Sequence, residues 1–354
     1  MSHLPLVAVL AVFVAAAAAI WVAGIQLSNQ TDVLATRLHL GSALGGLVLL
    51  AVATNLPEIA IVASAALSDH IGVAVGNILG GNAIQTVVLV VLDGVGVRGD
   101  PLTYRAASLV LVLEGILVVA VLAVVVASTQ LPATLIAFRL TPGPVLIALL
   151  WGAGLVLLQR AQKSLPWHES GEAPDNQDPP RGHSQVKAEQ EATRRRVSTV
   201  RSATIFGVSA VVTLVGGVLL EQSGDAAAGH LGLSGVLFGA TVLAAATSLP
   251  EVSTGLTSVR AGDYQLAVSD IFGGNAFLPT LFLLATLLSG RSVLPHAQDT
   301  DIYLTALGML LTVVYATGLV LRPRRRLAGM GVDSMVVLVL YVLGVAGLVA
   351  ISVA

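Results

Sequence analysis

Long apolar runs recur along the chain, broken by short polar segments, and each run is about twenty residues long, enough to cross a bilayer as a helix. Read with this period, they predict ten spans. Five lie at 4–26, 39–67, 71–93, 103–127 and 142–159, and five at 203–221, 232–259, 264–289, 301–320 and 332–353. The least regular stretch is Leu131 to Leu158, where Pro132, Pro142 and Pro144 interrupt the apolar pattern. A polar stretch separates the two groups of five and gives halves 1–159 and 203–354 joined by a linker 160–202. To about Gly182 this linker is polar and rich in Pro and Gly, a composition that predicts disorder. From Ser184 to Arg196 it predicts a short surface helix with no apolar face.

Composition agrees with the pattern. The chain of 354 residues is 55% hydrophobic and 11% charged, whereas a soluble domain carries about a quarter of its residues charged. The expected class is therefore an all-α polytopic membrane protein in the lipid bilayer. A net charge of −2 does not point to nucleic acid as a partner. The absence of cysteine excludes disulfides, thiolate metal sites and cysteine nucleophiles. The seven histidines have no metal-ligand spacing, and no nucleophile stands in a catalytic context, so the reading is of a non-enzyme without a resident cofactor. The first apolar run lacks a basic flank and is followed by many others, so it is read as a transmembrane helix rather than a signal peptide.

Lys and Arg set an expected orientation. The N-terminus, alternate loops and the C-terminus on one side hold only Arg139 and Arg291, and the other loops hold the rest of the 18 basic residues. Four of these lie in "RPRRR" at 322–326. Both termini are then expected outside a plasma membrane, with the central loop in the cytoplasm.

The chain also repeats itself. At an offset of 193, residues 40–84 match 233–277 without a gap and share 17 of 45 positions. The shared residues include Thr54/Thr247, Leu56/Leu249, Pro57/Pro250, Glu58/Glu251, Gly80/Gly273, Gly81/Gly274 and Asn82/Asn275. Apolar sequences match by chance at Leu and Val, not at Pro-Glu and Gly-Gly-Asn with a common separation. Five spans per half is odd, so the second copy inserts upside down, and such repeats place ion sites at their interface near the midplane.

The repeated residues carry cation chemistry. Pro57 and Pro250 break helical hydrogen bonding and free backbone carbonyls near Ala53 and Ala246. Thr54 and Thr247 share a helix face with Glu58 and Glu251, giving hydroxyl and carboxylate oxygens of the kind Ca²⁺ takes, while smaller subsets suit Na⁺ or protons. A carboxylate inside a membrane is held by a cation or a proton, which makes proton coupling physically accessible. The next helix in each half brings "GNILGGN" with Asn77 and Asn82, or "SDIFGGN" with Asp270 and Asn275. These amides serve either as ligands or as interhelical packing groups. Glu114, inside "LVLVLEGILVV", reads as a proton-relay acid or as a structural one, and Asp93, near a span end, as interfacial.

The two motif copies resemble those of the calcium/cation antiporter superfamily, in particular the prokaryotic sodium/calcium exchanger-like membrane proteins. That family carries twice a Gly-Thr-Ser-Leu-Pro-Glu-like motif followed by Gly-Asn-x-x-Gly-Ser-Asn-Ile-Phe-Asn/Asp. The resemblance implies ten helices in two inverted-topology five-helix repeats and a secondary antiporter exchanging Ca²⁺ for Na⁺ or H⁺. It implies ion ligands at Glu58 and Glu251, with Thr54, Thr247 and Ser248 beside them and backbone carbonyls from Ala51 and Ala244. Asn55 stands where the family has serine, and Gln85 keeps a polar group three places after Asn82. The chain departs from the pattern at Gly81 and Gly274, which replace both serines, at Leu278, which replaces a polar ligand, and at Asp270, which replaces an Asn. These losses of side-chain oxygen argue against a multi-sodium site and toward proton coupling or another cation. An uncoupled cation channel or a non-transporting scaffold on the same fold is the alternative.

Overall fold

The computed structural model describes residues 1, 3–37, 54–106, 108–163, 165–166, 198–233, 235–260 and 262–353. The first half contains α1 (Leu6–Arg37), α2 (Leu56–Leu67), α3 (Ile71–Val91), a short α4 (Leu102–Ala106), α5 (Leu109–Thr129) and α6 (Pro142–Lys163). The second contains α7 (Thr199–Leu231), α8 (Gly235–Phe238), α9 (Ala244–Thr247), α10 (Leu249–Arg260), α11 (Tyr264–Phe277), α12 (Leu281–Ser289), α13 (Asp299–Leu321) and α14 (Val332–Val353). A two-residue hairpin, β1 (Arg326–Leu327) with β2 (Met330–Gly331), precedes α14. Among the described residues eight helical spans are long and apolar enough to cross a membrane, so the all-helical membrane class holds.

The predicted spans 39–67 and 232–259 are not continuous helices where they are described. Part of the first, including Ala51 and Ala53, lies outside the described residues, as do the predicted disorder and surface helix of the linker. The second winds as α8, a π-turn at Gly239–Leu243, α9, a break at Ser248 and then α10. Asn55 (φ −91°, ψ 14°) and Ser248 (φ −81°, ψ 0°) interrupt the helix at matching places. Each stands two residues ahead of its proline, which then occupies the first turn of a new helix, where a missing N–H costs nothing.

Glycine lets these broken helices approach their neighbours. A Cβ at Gly24 of α1 would stand 2.8 Å from the Pro250 side chain, and one at Gly217 of α7 would stand 2.9 Å from the Pro57 carbonyl oxygen. These two contacts repeat at the offset of 193. So do the turns after the motif helices, where Asp69 (φ 65°) and Gly262 (φ 83°) both adopt the left-handed conformation.

Two expectations are corrected. Asp93, expected near a span end, is not solvent-facing there but wholly buried in the protein, accepting from the backbone N–H of Leu102 (2.8 Å) and Gly331 (2.6 Å) and from the Ser334 hydroxyl (2.7 Å). Three donors satisfy the carboxylate that hydropathy alone would send to the lipid boundary. The predicted span 203–221 is likewise too short: α7 continues ten residues past Glu221 because that acid is satisfied inside the protein. The basic run at 322–326 is also more than a topology signal. Arg326 donates to the carbonyl of Gly99 (2.6 Å), and Arg322 and Arg324 lie over the Tyr104 ring, pinning the hairpin to the segment between α3 and α5.

Candidate cation site between the two motif helices

Glu58 sits in the first turn of α2 and Glu251 in the first turn of α10, at 1% and 3% exposure. Thr247, from the second half, faces Glu58 of the first, and the Glu251 carboxyl lies within electrostatic reach of both Glu58 and Asp270. The two acids, 193 positions apart in sequence, therefore lie within electrostatic reach of each other. The Thr247 hydroxyl has a single hydrogen, and it is directed at the Ala244 carbonyl (3.1 Å), which also accepts from Ser248 Oγ (2.8 Å). Neither oxygen of either glutamate has a partner at hydrogen-bonding distance among the described residues.

An amide layer lies beside the acids. Asn275 Nδ2 donates to Thr86 Oγ1 (3.0 Å) across the halves, Thr86 donates to the Asn82 carbonyl (2.8 Å), and Asn82 Nδ2 donates to the Ile78 carbonyl (3.2 Å). The Oδ1 atoms of Asn82 and Asn275 have no donor among the described residues. Gln85 is buried with its amide oxygen beside Gly274, where Asn55 also comes. Thr54 is buried at the end of the segment that leads into Asn55. Asp270 is half-buried and accepts from Thr254 Oγ1 (3.2 Å), a residue one turn beyond Glu251. Of the sequence-predicted ligands, only Ala51 lies outside the described residues.

A buried carboxylate with no donor is costly unless a cation or a proton joins it. Here four carboxylate oxygens and the amide oxygens of Asn82, Gln85 and Asn275 lack donors among the described residues, a donor set of hard oxygen suited to Ca²⁺. Among the described residues no group of three or more His, Cys, Asp or Glu side chains is arranged to hold a metal ion. Coordination begun by the two glutamates would therefore draw on other oxygens, from amides, hydroxyls and backbone carbonyls.

The glycine substitutions have a structural counterpart. A Cβ at Gly81 would stand 3.0 Å from Leu278 Cδ1, and a Cβ at Gly274 would stand 3.2 Å from Gln85 Oε1. Each glycine makes room for the larger side chain of the opposite half, with Leu278 on one flank and Gln85 on the other. Away from this centre, Glu114 accepts from Ser269 Oγ (2.9 Å), the neighbour of Asp270, and its other oxygen has no donor among the described residues.

The sequence matches the sodium/calcium exchanger protein family over residues 8–159 and 201–350. The chain belongs to that family. It is accordingly a secondary cation antiporter rather than an enzyme. It is 26% identical over 274 residues to the inner membrane protein YrbG of Escherichia coli (strain K12), covering 77% of this chain and 76% of that one. To CaxA of Alkalimonas amylolytica it is 28% identical over 295 residues, 83% of each chain. Among solved structures it is similar to an H⁺/Ca²⁺ exchanger, CAX, with a TM-score of 0.63 at 13% identity, over 99% of this chain and 87% of the other. The sodium-calcium exchanger NCX_Mj gives a TM-score of 0.55 at 16% identity, over 97% of this chain and 99% of that one. At these identities the two structures speak to the fold alone.

Sequence reasoning missed one polar cluster. Glu221 is fully buried in α7, where it accepts from Ser64 of α2 and lies against His70. The available signal was a single acid inside an apolar pattern that resumes beyond it in "DAAAGHLGL".

Proposed function

We propose that the antiporter exchanges Ca²⁺ for H⁺ or Na⁺ by alternating access, with Glu58 and Glu251 holding either Ca²⁺ or the counter-ion, never both. The observation that carries this reading is the pair of buried glutamates, one from each half, whose four oxygens have no donor among the described residues. Asn82, Asn275, Gln85, Asn55, Thr54, Thr247, Ser248 and Asp270, with the carbonyls of Ala51 and Ala244, complete the proposed ligand set. The halves 1–159 and 203–354 are taken as inverted five-helix repeats around a cytoplasmic linker 160–202, with both termini outside the plasma membrane. The recurrence of the Gly24–Pro250 and Gly217–Pro57 contacts at the offset of 193 supports the repeat. The bias of Lys and Arg supports the orientation.

Leu278 against Gly81 favours the proton as counter-ion. It gives one flank of the site an apolar wall, while the paired carboxylates retain full capacity for protons. Purified protein in liposomes tests the reading: Ca²⁺ uptake should follow an imposed H⁺ gradient and be lost in Glu58→Gln. Uptake driven only by Na⁺ would reassign the counter-ion. Ca²⁺ conductance with no coupled flux would make the protein a channel, and no Ca²⁺ movement under either gradient would remove Ca²⁺ as substrate.

A further inference from the structure

We propose that His70 and Glu221 form a proton-operated clasp, placed apart from the central site, that seats α7 against the Glu58-bearing helix and makes exchange respond to pH at that face. Glu221 has no exposed surface, and both its oxygens are engaged: Oε2 accepts from Ser64 Oγ (2.8 Å) and Oε1 lies 3.0 Å from His70 Nδ1. The other ring nitrogen, Nε2, is 3.8 Å from Asp225 Oδ2, one turn further along α7. The imidazole is thus bracketed by a buried carboxylate and a surface one. Asp69 precedes it in the chain and is itself paired with Arg291 (2.7 Å). Among the described residues His70 is the basic group that contacts Glu221.

The clasp joins the elements on which the site depends. Ser64 lies six residues beyond Glu58 on α2, about 9 Å along the axis at the rise of an α-helix. Glu221 lies one turn beyond Gly217, whose backbone abuts the Pro57 carbonyl. A change in the hold of Glu221 on Ser64 and His70 is therefore a change in how α7 rests on the break next to Glu58. The device belongs to one half only, since the positions at the offset of 193 are Ser28 and Asp263.

The direction with pH follows from the ring. The hydrogen bond to Glu221 pushes His70 above the ordinary imidazole value of 6.5, reinforced by Asp225 and Asp69 and opposed by partial burial. A raised value means the charged pair contributes fully below 6.5, and its contribution is lost as pH rises through the raised value. Above that range Glu221 keeps only Ser64 and a neutral ring, and α7 is held less firmly.

The test uses full-length protein in lipid nanodiscs and liposomes, comparing wild type with His70→Gln and Glu221→Gln. Thermal unfolding across the imidazole range should give wild type a stability advantage over His70→Gln that fades as pH becomes alkaline, and Glu221→Gln should remove the same step. In liposomes, Ca²⁺ uptake should lose its inflection above pH 6.5 in His70→Gln while remaining saturable. Identical pH dependence of stability in wild type and His70→Gln overturns the clasp. A stability step with no change in the uptake profile overturns its effect on exchange. The effect on uptake rests on the exchanger reading proposed above, but the unfolding measurement does not. Absence of Ca²⁺ uptake in every variant would sink that reading and leave the clasp decided by stability.

Discussion

Gly80→Ala tests the tightest helix crossing beside the site. Gly80 of α3 faces the π-turn of the second half, and an added Cβ would lie 2.7 Å from the Ala240 carbonyl oxygen and 2.8 Å from its carbonyl carbon. The obstacle is backbone on both sides, so no rotamer change relieves it. To bring the carbonyl carbon to 3.4 Å, where ordinary contact begins, the two segments must part by at least about 0.6 Å, and the closer Cα of Ala240 demands more. Overpacking of this kind costs about 1–3 kcal/mol, and the rigid neighbours put this case near the upper value, on the order of a hundredfold in the folding equilibrium. The displacement also reaches the chemistry, since Gly239–Leu243 runs directly into α9 and Ser248, and Gly80 immediately precedes Gly81 and Asn82. Misplacing reacting groups by about 1 Å is worth on the order of a hundredfold in rate, so Ca²⁺ uptake should fall at least tenfold. Thermal unfolding in detergent and uptake into liposomes measure the two effects. Gly207→Ala on α7, whose Cβ would meet nothing within 4 Å, is the matched control. If Gly80→Ala unfolds and transports like Gly207→Ala, α3 and the π-turn do not cross in backbone contact at Gly80.

Glu58→Gln and Glu251→Gln should each abolish Ca²⁺ uptake while leaving thermal stability unchanged or higher, because each removes a buried carboxylate that lacks a donor among the described residues. Either variant exchanging at the wild-type rate would take that residue out of the site. Asp93→Asn should behave oppositely, with transport affected only through stability. An amide oxygen with a hydrogen-bearing nitrogen cannot accept from all of Leu102, Gly331 and Ser334, so about 1–3 kcal/mol should be lost, and an unchanged unfolding midpoint would contradict the three-donor description.

The sequence made the class and the motifs legible because both are written in one dimension. Bilayer thickness forces runs of apolar residues, and duplication leaves Pro-Glu and Gly-Gly-Asn at a fixed offset. What stayed hidden depends on partners far away in sequence. Glu221 ends an apolar run when hydropathy is summed locally, yet Ser64 and His70, more than 150 positions away, supply its hydrogen bonds and let α7 continue. Asp93 looks like a boundary residue for the same reason, although its partners include Gly331 and Ser334 near the other end of the chain. The breaks at Asn55 and Ser248 were foreseeable from the prolines, but the π-turn ahead of α9 has no comparable signal in "GATVL".

The two glycines that replace serine show how the same limit applies within the site. Taken alone, Gly81 and Gly274 read as lost hydroxyls. In the fold they are the space occupied by Leu278 and Gln85, so the small and large residues form compensating pairs across the halves. This makes a non-additive outcome necessary. Gly81→Ser places a Cβ 3.0 Å from Leu278 Cδ1, inside ordinary contact, and adds an oxygen against an apolar neighbour, so it should lower stability and transport. Leu278→Asn alone opens a void and leaves an amide facing glycine, so it should also be damaging. Combined, the smaller side chain yields the room that the serine needs, and each supplies the other with a hydrogen-bond partner. The double variant should therefore be more stable than the sum of the single effects implies, with a coupling of about 0.5–3 kcal/mol in a thermal-unfolding cycle. Simple additivity would mean that Gly81 and Leu278 are independent losses, and that the apolar flank is not a built feature of this site.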